Sequence, residues 1–131
     1  MGEPRWLSRA LVDVMHRELL RKDGGLWGVK DENALESALA RPRNRFAYEP
    51  DTDLCALAAS YGFGLARNHG YSDGNKRIAF MVMYTFLGVN GLELTVDEPS
   101  AVLTTLSLAA GELTEDELAA WLRDNSERID G

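Results

Sequence analysis

His69-Gly-Tyr-Ser-Asp-Gly-Asn-Lys-Arg-Ile-Ala-Phe-Met-Val-Met-Tyr-Thr-Phe-Leu-Gly-Val89 is the stretch from which the fold is read. Its first nine residues hold an imidazole, a carboxylate, an amide, an ammonium and a guanidinium. The rest is apolar on nearly every side, and that run predicts a buried helix from about Asn75 to Val89, central to the domain. The polar part is then a loop emptying into the helix N-terminus, where unpaired N–H groups and partial positive charge suit an anion. Lys76 and Arg77 sit in the first turn, where the dipole disfavours cations, and a bound phosphate would remove the conflict. His69 supplies a possible base and Asp73 a possible Mg²⁺ ligand beside it.

Working outward, the remaining segments also read as helices. Leu7, Leu11, Val14, Met15 and Leu19 recur at three- and four-residue steps, giving a first amphipathic helix that ends around Gly24-Gly25. Asp31 caps a short second helix with Ala34, Leu35, Ala38 and Leu39 inward and Pro42 just beyond its end. Residues 41–52 read as a loop with two aromatic anchors, Phe46 and Tyr48. Asp53 caps a third helix to about Asn68, whose Gly62 and Gly64 imply a close helix crossing. Leu92 to Val96 alternates but has no evident strand partner, so no sheet is expected. Asp97 or Glu98 before Pro99 opens a fifth helix to about Ala110. Thr114-Glu-Asp-Glu117 is a capping box opening the last, with Leu118, Trp121 and Leu122 inward. The tail after Glu127 is expected to fray. The fold expected is all-α, one domain over 1–131, a bundle of about six helices around the central one at 75–89.

Composition narrows the function. The net charge of −7 argues against a general nucleic-acid binder. Between Arg41 and Arg77, six basic residues face four acidic ones, so this stretch is +2 and the remainder −9. One basic focus on an acidic chain suits a small polyanion. No apolar run is long enough to span a membrane and no signal-peptide core precedes Trp6, so a cytoplasmic protein is expected. Cys55 lies in an apolar run and reads as core filler. His16, in the first helix with no polar constellation in sequence, reads as structural. One Cys and two distant His exclude a zinc site, and Gly74 followed by Asn excludes a P-loop.

The segment His69 to Arg77 resembles the Fic/Doc signature, H-x-F-x-[D/E]-G-N-[G/K]-R, with Tyr71 where the family has Phe. Gly24-Gly25-Leu26-Trp27-Gly28, Phe46-Ala47-Tyr48-Glu49 and Asp53-Leu54 extend the resemblance to the Doc (death-on-curing) toxins, over about residues 5–125. Lys76 decides between branches. AMP-transferring Fic enzymes typically have Gly there and a second Arg three residues after the first, where this chain has Phe80. The resemblance therefore implies a toxin that phosphorylates a protein Thr or Ser with ATP and Mg²⁺. It implies His69 as general base, Asp73 as metal ligand, Asn75 orienting a phosphate oxygen, and Gly74, Lys76 and Arg77 binding the phosphates. It also implies elongation factor Tu as target and a Phd-like antitoxin as partner. No [S/T]-x-x-x-E inhibitory motif occurs, which fits external restraint. Arg43, Arg45, Phe46 and Tyr48 are expected to dock the target. AMP transfer and a non-catalytic adaptor remain as alternatives.

Overall fold

The structure is a computed structural model that describes residues 2–129. Its helices are α1 (Arg9–Asp23), α2 (Glu32–Tyr48), α3 (Leu54–Asn68), α4 (Asn75–Val89), α5 (Glu98–Ala109) and α6 (Glu115–Asp124), with two short strands, β1 (Leu92–Leu94) and β2 (Ser126–Arg128). Local chemistry sets most helix starts. Ser8, Asp31, Asp53, Asp97 and Thr114 each accept a hydrogen bond from the backbone N–H three residues on. Each such cap contributes about 1 kcal/mol. The Thr114–Glu117 capping box closes in both directions. α4 alone among these helices begins on a glycine, Gly74, with no side-chain cap.

The architecture is all-α, as expected, with α3 and α4 as the innermost pair. α3 is buried on almost every side and packs against α2, α4, α5 and α6. α4 contributes Ile78, Val82, Met83, Phe86 and Leu87 to the core but leaves Met81, Tyr84 and Val89 exposed. α3 and α4 therefore share the central position. The close crossing expected at the α3 glycines is present: a Cβ on Gly62 would lie 2.8 Å from Met83 Cγ of α4, and one on Gly64 3.1 Å from Ala38 Cα of α2.

Four expectations need correction. α2 does not stop before Pro42 but runs through it to Tyr48, so residues 41–48 are helix rather than loop. An interior proline costs about 3 kcal/mol in an isolated helix. Here Pro42 is buried, and Arg41 and Arg45 on either side of it both bond to Glu115 at the start of α6, which holds the second half in line. α1 presents Val12, His16 and Leu20 inward, while Leu11 and Val14 are exposed. Counting apolar residues misphased this face because its central buried residue is a histidine. β1 does have a partner: Leu92, Glu93 and Leu94 pair antiparallel with Arg128, Glu127 and Ser126. The tail is consequently tied down through Arg128, and Ile129 N–H donates to Gly91 O at 2.9 Å. Ser-Glu-Arg has no strand composition, so nothing local announces that pairing.

This packing brings the C-terminus of α3 beside the N-terminus of α4, with loop 69–74 between them. The α1–α2 connection crosses that loop. Lys30 and Asp31 N–H both donate to Gly70 O, and Ser72 N–H donates to Gly28 O at 2.9 Å.

Candidate active site

His69 ends α3 in the left-handed region, at φ 52° and ψ 51°. It is the sole non-glycine residue with positive φ among the described residues. Such a conformation costs about 1–2 kcal/mol and persists where the surroundings impose it, often at working sites. Its exposed side chain and that of Lys76 line one open cavity of about 610 Å³, together with Leu103, Leu106, Ser107 and Glu112. The helix break at His69 and the helix start at Asn75 thus put imidazole and ammonium on the same opening.

Asp73 is held from two directions. Its Oδ2 accepts from Leu26 N–H at 3.2 Å and its Oδ1 from Gly74 N–H at 2.8 Å. Those two amides, with Arg77 and His16 nearby, keep its carboxyl below the usual carboxylate range. It is therefore an ionised, oriented carboxylate on the loop surface. No cluster of three His, Cys, Asp or Glu occurs among the described residues. One fixed carboxylate fits a Mg²⁺ ion that takes the rest of its shell from water and phosphate oxygens.

Arg77 is half-buried, with its guanidinium near Gly24 O (3.4 Å) and Asp23 (3.5 Å) at the end of α1. Its charge is partly balanced there, whereas Lys76 makes no ion pair among the described residues. Asn75 has a visible task other than the one expected. Its Oδ1 accepts from Tyr71 N–H at 3.0 Å and its Nδ2 donates to Tyr71 O at 2.9 Å. The amide clasps the loop. One N–H of the group remains for a ligand.

Sequence reasoning missed the support beneath the loop. Tyr71 is fully buried, and its hydroxyl donates to Asp13 Oδ1 at 2.6 Å. Asp13 in turn pairs with Arg9, which also binds Glu32 and Glu36. His16 is fully buried and stacks on the Tyr71 ring at 3.7 Å and 11°. Its Nε2 donates to the Asp73 carbonyl at 2.7 Å. Burial pushes its titration down. His16 is buried in the core, and it sits in a polar constellation formed by residues more than fifty positions away. The clue available in sequence was the hydroxyl on Tyr71, which a buried site obliges to find a partner.

The structure does not bring Arg43, Arg45, Phe46 and Tyr48 to this loop. Phe46 packs edge-on against Trp6, which stacks on Phe86, three turns along α4 from Lys76. Arg43 lies over Trp6, Arg45 bonds to Glu115 at 2.9 Å, and Tyr48 is exposed. A second groove, of about 520 Å³, starts at Lys76 and Arg77 and runs between α4 and α5 past Phe80, Met81, Tyr84, Val102 and Leu106. It is almost wholly apolar. No helix among the described residues is long and apolar enough to cross a membrane.

Residues 6–87 match the Fic/DOC family. The chain is 34% identical over 119 residues to a protein kinase doc from Escherichia phage P1, covering 91% of this chain and 94% of the relative. It is 40% identical over 75 residues to a toxin Doc from Mycolicibacterium smegmatis, covering 56% of this chain and 58% of the relative.

Proposed function

We propose, from the premise that this chain belongs to the Fic/DOC family on its Doc branch, that it moves the γ-phosphoryl group of ATP onto a Thr or Ser hydroxyl of a protein. The observation that carries this reading is the uncapped start of α4, where Lys76 stands in the first turn and lines the same cavity as His69, with Arg77 beside it on the adjoining groove. Positioning and charge stabilisation are most of what phosphoryl transfer asks of a protein.

His69 takes the proton from the attacking hydroxyl. Imidazole suits this because its ordinary titration lies nearest neutral pH. As the hydroxyl oxygen bonds to the γ-phosphorus, the bond to ADP breaks. The α4 amides, Lys76 and Arg77 hold the charge on the transferring group, and Asn75 keeps the loop closed around it. Asp73 would hold the Mg²⁺ that arrives with the nucleotide, and the ion would supply charge neutralisation there.

Lys76 favours phosphate over AMP transfer because a glycine there would let the nucleotide phosphates lie close to the backbone, where this chain instead sets an exposed ammonium. The name of the phage P1 relative supports the same choice. The target we propose is elongation factor Tu, with arrested translation as the result. The partner we propose is a Phd-like antitoxin, whose disordered segment would fold into the apolar groove beside Lys76. The reaction is tested with ATP labelled at the α- or γ-position. Label reaching the target from the γ-position, and lost in a folded His69→Ala variant, is expected. Label from the α-position overturns phosphate transfer, and full activity of His69→Ala removes His69 from the mechanism.

A further inference from the structure

We propose that His16, on α1 and distant in sequence from the loop, is a positioning residue that aims the Asp73 carboxylate. The inference rests on the functional reading above, in which that carboxylate meets Mg²⁺ carried by ATP. Asp73 is gripped at two levels. Its side chain accepts from the Leu26 and Gly74 amides. Its main chain is fixed from beneath by the 2.7 Å bond from His16 Nε2 to the Asp73 carbonyl. The imidazole is itself immobilised, fully buried and stacked 3.7 Å from the Tyr71 ring. Tyr71 is clasped by Asn75 and anchored to Asp13, so the stack rests on a fixed surface.

The other ring nitrogen argues that this bond is the reason a histidine stands there. His16 Nδ1 is buried without a hydrogen-bond partner. A buried polar atom left unpaired is a cost. Phenylalanine would keep the stack on Tyr71 and bury no polar atom, so packing alone does not call for imidazole. The N–H to Asp73 is what phenylalanine would lose. Bonds of this kind, one shell behind a metal-binding carboxylate, typically govern its orientation, and losing them costs about 10- to 100-fold in metal affinity or activity.

His16→Phe keeps the stack and removes the donor, and His16→Gln keeps a donor without the ring. The full chain is titrated with Mg²⁺·ATP by calorimetry, amide spectra of Leu26 and Gly74 are recorded without ligand, and KM for Mg²⁺·ATP is separated from kcat. For His16→Phe, a cooperative unfolding transition near that of wild type is expected. Shifted Leu26 and Gly74 amides, about tenfold or more weaker Mg²⁺·ATP binding, and partial recovery of binding in His16→Gln are expected with it. Unshifted amides with unchanged Mg²⁺·ATP affinity in His16→Phe overturn the proposal. So does a loss in both variants that follows their unfolding temperatures alone. The amide shifts, the calorimetric affinities and the unfolding transitions involve no transfer of phosphate. A wild-type chain that binds Mg²⁺·ATP but transfers AMP, with the variants behaving as expected, overturns the kinase reading and leaves this one standing. A wild-type chain that does not bind Mg²⁺·ATP overturns both.

Discussion

Gly25 is the residue at which a single methyl group should cost the site more than it costs the fold. Its φ is +132°, a conformation side-chain-bearing residues rarely adopt. A Cβ built there lies 2.7 Å from Leu20 Cδ2 and 2.8 Å from Asp73 Oδ2, with Arg77 Nη2 at 3.4 Å. Gly25→Ala therefore meets a strained backbone, about 1–3 kcal/mol. It also meets an overpacked contact with buried Leu20, again about 1–3 kcal/mol. One shift of the chain relieves part of both, so the net cost is about 2–4 kcal/mol. The 24–31 connection is exposed and tied to the loop mainly by three backbone hydrogen bonds, at Lys30, Asp31 and Ser72. It can yield before the core does. Yielding pulls the Leu26 amide from Asp73, and the carboxylate loses its orientation.

At 1.36 kcal/mol per tenfold, that range corresponds to a loss of ~30-fold to ~900-fold in kcat/KM for γ-phosphate transfer. The unfolding temperature should fall by less than about 5 °C, because most of the cost is local. Gly24→Ala is the control. Gly24 also has positive φ, +82°, but nothing lies within 4 Å of its Cβ position. It should lose stability through strain and retain far more activity for the same fall in unfolding temperature. The reasoning is refuted if Gly25→Ala transfers phosphate within about threefold of wild type. It is equally refuted if Gly24→Ala loses as much activity at a matched unfolding temperature.

Three further outcomes follow from the packing and the charges. Gly62→Ala drives a methyl to 2.8 Å from Met83 Cγ and 2.9 Å from Met83 Cε in the core, so urea denaturation should show a loss of about 1–3 kcal/mol. Glu115→Ala leaves Arg41 and Arg45 without their shared acceptor and should destabilise by about 1–3 kcal/mol. An unchanged urea midpoint would show that α2 does not need that clip to run through Pro42. For pH, the folded-state titration of His16 lies below the ordinary value of about 6.5. Between those two values the unfolded chain binds more protons, so stability falls as pH drops through that window and His16 has no effect above it. His16→Phe should flatten the slope just below about pH 6.5, and an identical slope in that variant would assign the loss to other groups.

What could be read from the sequence divides by the range of the interaction that fixes it. The helix starts at Ser8, Asp31, Asp53, Asp97 and Thr114 are each decided by a hydrogen bond spanning three residues, and a local pattern carries that information. The start of α4 was legible for the opposite reason: no side chain caps it, and cations stand where a helix alone would not favour them. The run of α2 through Pro42 could not be read, because its stabilising partner, Glu115, lies more than seventy residues from Pro42. The β1 partner, Ser126 to Arg128, is set by backbone pairing and has no composition to announce it. The candidate site follows the same division. His69, Asp73, Asn75, Lys76 and Arg77 lie within nine consecutive residues and are legible together. The parts that orient them are the main-chain amide of Leu26, which has no letter in the sequence, and His16, whose apolar neighbours disguised it as core. Arg45 shows the converse case. Charge in sequence suggested a surface facing a ligand, yet the Arg45 guanidinium bonds to Glu115 within the fold, while Arg43 lies exposed over Trp6. A charged residue reports a ligand site only after its partners within the fold have been counted. In this chain Lys76 passes that count.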